Sequence, residues 1–320
     1  MPFDMKNGVL IDRFEKALDV KRSTARVYAS QLVTLARKLS IPFDLKDLSW
    51  LKRPKVLNYV GNINNLTRRK NAASAIVAGL KVIDGKKSLP EYREILLQAD
   101  KDHTAFLVSG KRKRPFKDAD RQWTIIRNLW KKVAKIVSAQ KLWQRGESVT
   151  TKEYRTLLQL VYLKFISDMP VRRLAYADTR FATEPDDHSN LIITRKGPWR
   201  WRLSNYKTFK SFGTQEYKIT PGLKKLLMKI RPIAKAKNVD GYIFLNARWK
   251  PMKRDLFSKF VANIYQKYAG KKYTQNTIRS IKVSSVWKDS VKTVEALKIA
   301  SEMGHDPRTA MIYYRKNNST

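Results

Sequence analysis

The sequence predicts a mainly α-helical chain with a small antiparallel β-sheet set into its second half. Three observations predict it. Most apolar residues recur at helical spacing, and three short runs between residues 190 and 220 are of β type. The chain is also 42% hydrophobic with eight tryptophans, enough for a packed core. A length of 320 residues predicts two domains at ~100–200 residues each. The polar run "GKRKRP", starting at Gly110, is the clearest break between helical regions. The expected division is a helical unit over 1–110, a basic linker over 111–118 and an α+β unit over 119–320.

The first hundred residues read as helices. "STARVYASQLVTLARKLS" opens with Ser23 or Thr24 as cap and sets Val27, Tyr28, Leu32, Leu35 and Leu39 at helical spacing. Arg26, Arg37 and Lys38 fall on its other faces. "NNLTRRKNAASAIVAGLKVID" repeats the plan, with a cap at Asn65 or Thr67, a basic first turn of Arg68, Arg69 and Lys70, and an apolar face through Ala72, Ile76 and Leu80. Positive charge in a first turn opposes the helix dipole, so local stability does not account for it. A phosphate backbone crossing the helix start would.

Beyond the linker, helices are expected at Asp120–Gln140 and Thr151–Ser167. "NLIIT", "RWRLSNYKT" and "EYKIT" follow as short strands, with turns at Gly197-Pro198 and Gly213. Helices resume near Pro221 and run to the end.

Charge narrows the partner. Lys and Arg number 67 against 27 Asp and Glu, a formal net charge of +40, which a folded chain tolerates best beside a polyanion. The basic residues are spread throughout, so the reading is a basic globular protein that binds double-stranded DNA. Arg26, Arg68, Arg69, Lys70 and the linker residues Lys111, Arg112, Lys113 and Arg114 are the candidate phosphate contacts. The linker cluster also has the form of a nuclear-localisation patch. No apolar run reaches the ~18 residues of a membrane span and no signal-type segment opens the chain, so an intracellular protein without a membrane partner is expected. Zero cysteines remove thiolate chemistry and cysteine-ligated zinc, and the three histidines, His103, His188 and His305, are scattered. No metal or other cofactor is expected.

Four segments carry the residues suited to chemistry. "DMPVRRLAYAD" places Arg172 and Arg173 just after the helix-breaking Pro170. "SNYKTFKSFG" puts Lys207 on a strand approaching a glycine turn. "NTIRSIKVSSVW" sets Arg279 among Ile278, Ile281 and Val283, where a buried guanidinium would need an anion. "GHDPRTAMIYY" carries His305, then Asp306 and Pro307 as a helix start, then Tyr313 and Tyr314.

In that order the parts resemble the tyrosine recombinase, or phage-integrase-like, family. The resemblance covers most of the chain: "STARVYASQL" and "RRKNAASAI" are similar to its helical core-binding domain, and residues from about 116 onward to its catalytic domain. "MPVRRLAYAD" with "YKTFKSFGTQEYKI" is closer to the versions of eukaryotic viruses and mobile elements, which would put the chain in a host nucleus. By position the resemblance assigns Arg172 as first arginine, with Arg173 as alternate, Lys207 as the hairpin lysine and Arg279 as second arginine. It likewise makes His305 the histidine of the Gly-His pair and Tyr314 the nucleophile, with Tyr313 as alternate. Two positions depart from the pattern. Asn276 stands where the family has a histidine three residues before the second arginine, and an amide cannot exchange protons as imidazole does. Ala175 stands where an acidic residue is usual, with Asp178 nearby.

The resemblance implies a site-specific recombinase or integrase working as a homotetramer on two DNA sites, through a 3′-phosphotyrosyl intermediate and without ATP or metal. A type IB topoisomerase-like or telomere-resolving enzyme would share this chemistry. A DNA-binding relic of the fold would share only the charge.

Overall fold

The computed structural model describes residues 3–42, 47–85, 90–108, 118–171, 174–195, 197–206, 208–286, 298 and 302. The chain divides into two compact units, Met1–Arg112 and Lys113–Thr320, each with its own hydrophobic core. It is mainly helical with one small sheet.

The first unit consists of α1 (Phe3–Leu18), α2 (Arg22–Lys38), α3 (Pro54–Gly61), α4 (Leu66–Asp84) and α5 (Pro90–Val108). Helix α2 starts earlier than the Ser23 or Thr24 cap predicts. Lys21 is its N-cap residue, and its carbonyl accepts the Thr24 amide at 2.7 Å. The buried face is Ala25, Ala29, Leu32, Leu35 and Ala36, while Val27 is 52% exposed. At ~100° per residue Val27 lies about 140° around the helix from Leu32, so its apolar character does not put it on the core face. Helix α4 follows expectation: Asn65 caps it by accepting the Arg68 amide at 3.0 Å, and Ala72, Ile76 and Leu80 are buried. Gly79 lets this helix pack closely, since a Cβ there would lie 2.6 Å from Leu51 Cδ1 and 3.3 Å from Leu32 Cδ1.

The second unit begins with α6 (Ala119–Ala139) and α7 (Thr151–Asp168). Helix α6 is amphipathic, burying Ile126, Leu129, Val133 and Val137 at three- and four-residue intervals. Helix α7 is buried on nearly every side from Leu157 to Ile166, so it forms the centre of the core. A capping box starts it: Thr150 Oγ1 accepts the Glu153 amide at 3.3 Å, and the Glu153 carboxylate accepts the Thr150 amide at 2.9 Å.

The strands are β1 (Thr179–Ala182), β2 (Asn190–Ile193), β3 (Arg200–Leu203) and β4 (Gln215–Lys218), in that spatial order. The three runs marked in the sequence form β2, β3 and β4, and they pair antiparallel as expected. The added strand β1 runs parallel to β2, so the whole sheet is mixed rather than purely antiparallel. Residues 183–189 must therefore double back. Asp186 holds that return, accepting Arg180 Nη2 at 2.8 Å and the His188 amide at 2.9 Å. Helix α8 (Phe209–Phe212) interrupts the β3–β4 connection, and α9 (Pro221–Lys237), α10 (Arg254–Ala269) and α11 (Gln275–Val286) follow. The unit thus surrounds α7 with helices and closes one side with the sheet.

Candidate functional site

Arg26, Arg68, Arg69, Lys70, Asn276 and Arg279 fall among the described residues. Arg172, Arg173, Lys207, His305, Tyr313 and Tyr314 lie outside them, as do Lys111, Arg112, Lys113 and Arg114. The described chain next to the catalytic candidates shows how their segments are tied together.

Arg279 lies on α11, only 7% exposed, with Ile278 and Ile281 fully buried beside it. Helix α11 is joined to α7 at its first residue. The Tyr162 hydroxyl, deep in an aromatic cluster of Tyr176, Phe257, Phe260 and Tyr265, donates to the Gln275 side-chain carbonyl. Burial pushes the Tyr162 hydroxyl well above the usual phenol range, which keeps it a neutral donor. Thr274 orders the same helix start, accepting the Thr277 amide at 3.2 Å on its hydroxyl and the Ile278 amide at 3.0 Å on its carbonyl. Asn276 is exposed on this first turn.

The chain on both sides of Arg172 and Arg173 is fixed. Met169 and Val171 are buried before them, and Ala175, Tyr176 and Ala177 after them. The Tyr176 hydroxyl donates back across the gap to the Pro170 carbonyl at 3.1 Å. Ala175, at the place of the family's acidic residue, is buried. Asp178 takes no acidic role at that point, because Arg254 at the start of α10 holds it through Nε at 3.1 Å and Nη2 at 2.8 Å.

Asn190, fully buried at the head of β2, ties this segment to the one preceding Lys207. Its Nδ2 donates to the Ala175 carbonyl at 3.1 Å and to the Asn205 carbonyl at 2.9 Å. Its Oδ1 accepts the amides of Ser204 at 3.2 Å and Asn205 at 2.9 Å. All four hydrogen-bonding positions of the amide are in use. The same bonds end β3 at Leu203, so the run "RWRLSNYKT" is strand only in its first part; Ser204 and Asn205 turn to Asn190 instead of continuing the ladder. In the sequence Lys207 falls between β3 and β4, which are an antiparallel pair.

The segment before Gly304-His305 is anchored at Glu302, whose carbonyl accepts the Tyr217 hydroxyl of β4 at 3.0 Å. The described neighbours of Arg172, Lys207 and His305 are therefore each joined to the unit that carries Arg279. Sequence reasoning missed Asn190, Tyr162, Gln275 and Tyr217. Only Asn190 leaves a signal, as a polar residue opening the otherwise apolar run "NLII".

In the first unit Arg26 and Arg68 are exposed. The basic first turn of α4 has partners inside the protein, which corrects the expectation that only a polyanion accounts for it. Lys70 pairs with Asp100, and Arg69 donates from Nε to the Ile63 carbonyl at 2.8 Å and lies 3.9 Å from Asp102. Among the described residues no group of acidic residues and histidines is arranged to hold a metal ion, and no helix is long and apolar enough to cross a membrane.

No family model and no curated protein matches the chain. Among solved structures, XerA recombinase aligns over 98% of this chain and 95% of that chain, with 12% identity and a TM-score of 0.39. Likeness at that level establishes neither family nor chemistry.

Proposed function

We propose that the chain cuts and rejoins DNA through a covalent 3′-phosphotyrosyl intermediate, as a tyrosine recombinase or integrase acting as a tetramer on two duplexes. The observation that carries the reading is the set of ties just described: four segments far apart in sequence, each bearing or bordering a residue suited to phosphate chemistry, are held in one unit by buried hydrogen bonds. The net charge of +40 and the exposed Arg26 and Arg68 supply the attraction to a polyanion.

In this reading Arg172 and Arg279 grip the non-bridging oxygens of the scissile phosphate, where planar guanidinium forks match phosphate geometry better than an ammonium does. Tyr314 Oη attacks phosphorus and the bond from phosphorus to the 5′-oxygen breaks. The phenolic proton leaves by way of His305, and Lys207 protonates the departing 5′-oxygen. One phosphodiester replaces another, so no external energy source is needed, and a 5′-hydroxyl can reverse the step or join a new partner. Arg279 is suited to its role because burial strengthens the field it exerts on the pentavalent phosphorane. With Asn276 unable to exchange protons, acid–base work rests on Lys207 and His305.

The test is a nicked suicide duplex built from the ends of the DNA element that encodes the protein, scored for a denaturant-resistant protein–DNA band. Wild type and Tyr313→Phe should give the band, Tyr314→Phe should lose it, and Arg279→Ala should lower it about a hundredfold or more. A band that survives in both tyrosine variants overturns the mechanism. Tight binding to a verified target with no band in wild type makes the protein a DNA-binding relic. Relaxation of a supercoiled plasmid lacking the target makes it a topoisomerase.

A further inference from the structure

Lys282 lies on α11, three residues after Arg279 and therefore on the same side of the helix. Nearly all of its surroundings are protein. Its Nζ is 3.5 Å from the Met169 carbonyl at the end of α7 and 5.2 Å from the centre of the Trp123 ring on α6. The Glu302 carboxylate is its acidic neighbour: burial lowers the pKa of the ammonium, and Glu302 opposes that shift. The Glu302 backbone is held from the other side by the Tyr217 hydroxyl of β4 at 3.0 Å. In the sequence Met169 stands three residues before Arg172, and Glu302 three before His305.

A lysine this enclosed is costly to keep charged, and a Met of similar length would fill the same space without that cost. Its contacts therefore point to a role other than stability. They join one cation to three chain segments that carry separate parts of the candidate site.

We infer that Lys282 is a positioning residue for strand cleavage: together with Tyr217 it clasps Glu302, fixing the chain that leads to Gly304-His305 against the end of α7 and the helix of Arg279. This rests on the strand-cleavage reading above. Lys282 need not touch DNA for the role. It sets the distance between the two phosphate-gripping segments and the histidine segment, and such distances govern rate steeply.

The experiment uses the full chain and the same suicide duplex, in single turnover. Lys282→Met should slow adduct formation about tenfold while leaving affinity for the duplex within about twofold. Its thermal midpoint should be equal to or above wild type, because a buried charge has been removed, whereas a purely structural role predicts a parallel loss of stability. Glu302→Gln should slow the reaction to a similar extent, and the double variant should be no slower than either single one, since both remove the same contact. Glu302→Gln alone decides the matter if Lys282→Met does not fold. A wild-type adduct rate in Lys282→Met, or losses that multiply in the double variant, overturn the inference. If wild type itself forms no adduct, the cleavage reading fails and the positioning role fails with it. The clasp is then tested separately by amide hydrogen exchange around Glu302, which Lys282→Met should accelerate about tenfold and which unchanged protection would refute.

Discussion

Asn190→Ala is the sharpest structural test of how the second unit assembles its candidate site. The substitution removes two donors and an acceptor that takes two bonds. The Ala175 carbonyl keeps a second partner, the Thr179 hydroxyl at 2.9 Å, and Asn205 is exposed, so water can reach its backbone. The Ser204 amide has no such recourse, because Ser204 is only 5% exposed. A buried amide left without its acceptor costs about 1–3 kcal/mol, and the bonds to half-solvated groups add roughly 1 kcal/mol in sum. The expected destabilisation is about 2–4 kcal/mol, or a fall in the thermal midpoint of the second unit of about 5–12 °C. Asn190→Asp keeps the acceptor but sets a carboxylate against the Ala175 and Asn205 carbonyls, so it should destabilise at least as much. Tryptophan fluorescence follows the transition, since Trp199 and Trp201 flank β3 and Trp50 alone of the described tryptophans lies in the first unit. Urea or thermal unfolding of the two variants gives the numbers. A loss below about 0.5 kcal/mol in Asn190→Ala would refute the claim that this amide organises the approach to Lys207.

Three further outcomes are expected. DNA binding should weaken with salt with a log–log slope steeper than about −5, and Arg26→Ala or Arg68→Ala should each reduce the slope by about one; a wild-type slope near −1 would exclude a multi-phosphate interface. Tyr162→Phe should destabilise the second unit by about 1–3 kcal/mol by leaving the buried Gln275 carbonyl without its donor, and unchanged urea unfolding would show that the tie between α7 and α11 lies elsewhere. Acid should also weaken the second unit. The Thr150 amide, followed by the Thr150 hydroxyl and Arg145, holds the Glu153 carboxyl below its usual range, and Arg202, followed by Arg200, does so for Glu216. Carboxylates lowered in the folded state contribute stability that is complete above the unfolded value of about 4 and is lost as pH falls through the folded values. The midpoint of unfolding should therefore decline below about pH 4, less steeply in Glu153→Gln; parallel profiles would count against the capping box as a source of acid sensitivity.

Much of this protein is legible in its sequence. The helices around Leu32, Ile76, Val133 and Leu158, the strands at Asn190, Arg200 and Gln215, and a buried Arg279 all follow from apolar spacing and residue type. These are local quantities: a helix or strand repeats every few residues, so its face is written in its own segment. What pairs with what is written nowhere locally. Val27 has the right character and the wrong angle, and Arg69 and Lys70 look like free cations until α5 brings Asp102 and Asp100 to them. Strand β1 became parallel because Asp186 folds the chain back, a contact between residues whose types suit any loop. Asn190 and Lys282 gain their roles only from carbonyls, amides and a carboxylate contributed by other segments. The burial of a polar side chain is dictated by the partners that satisfy it, and those partners come together only when the chain has folded.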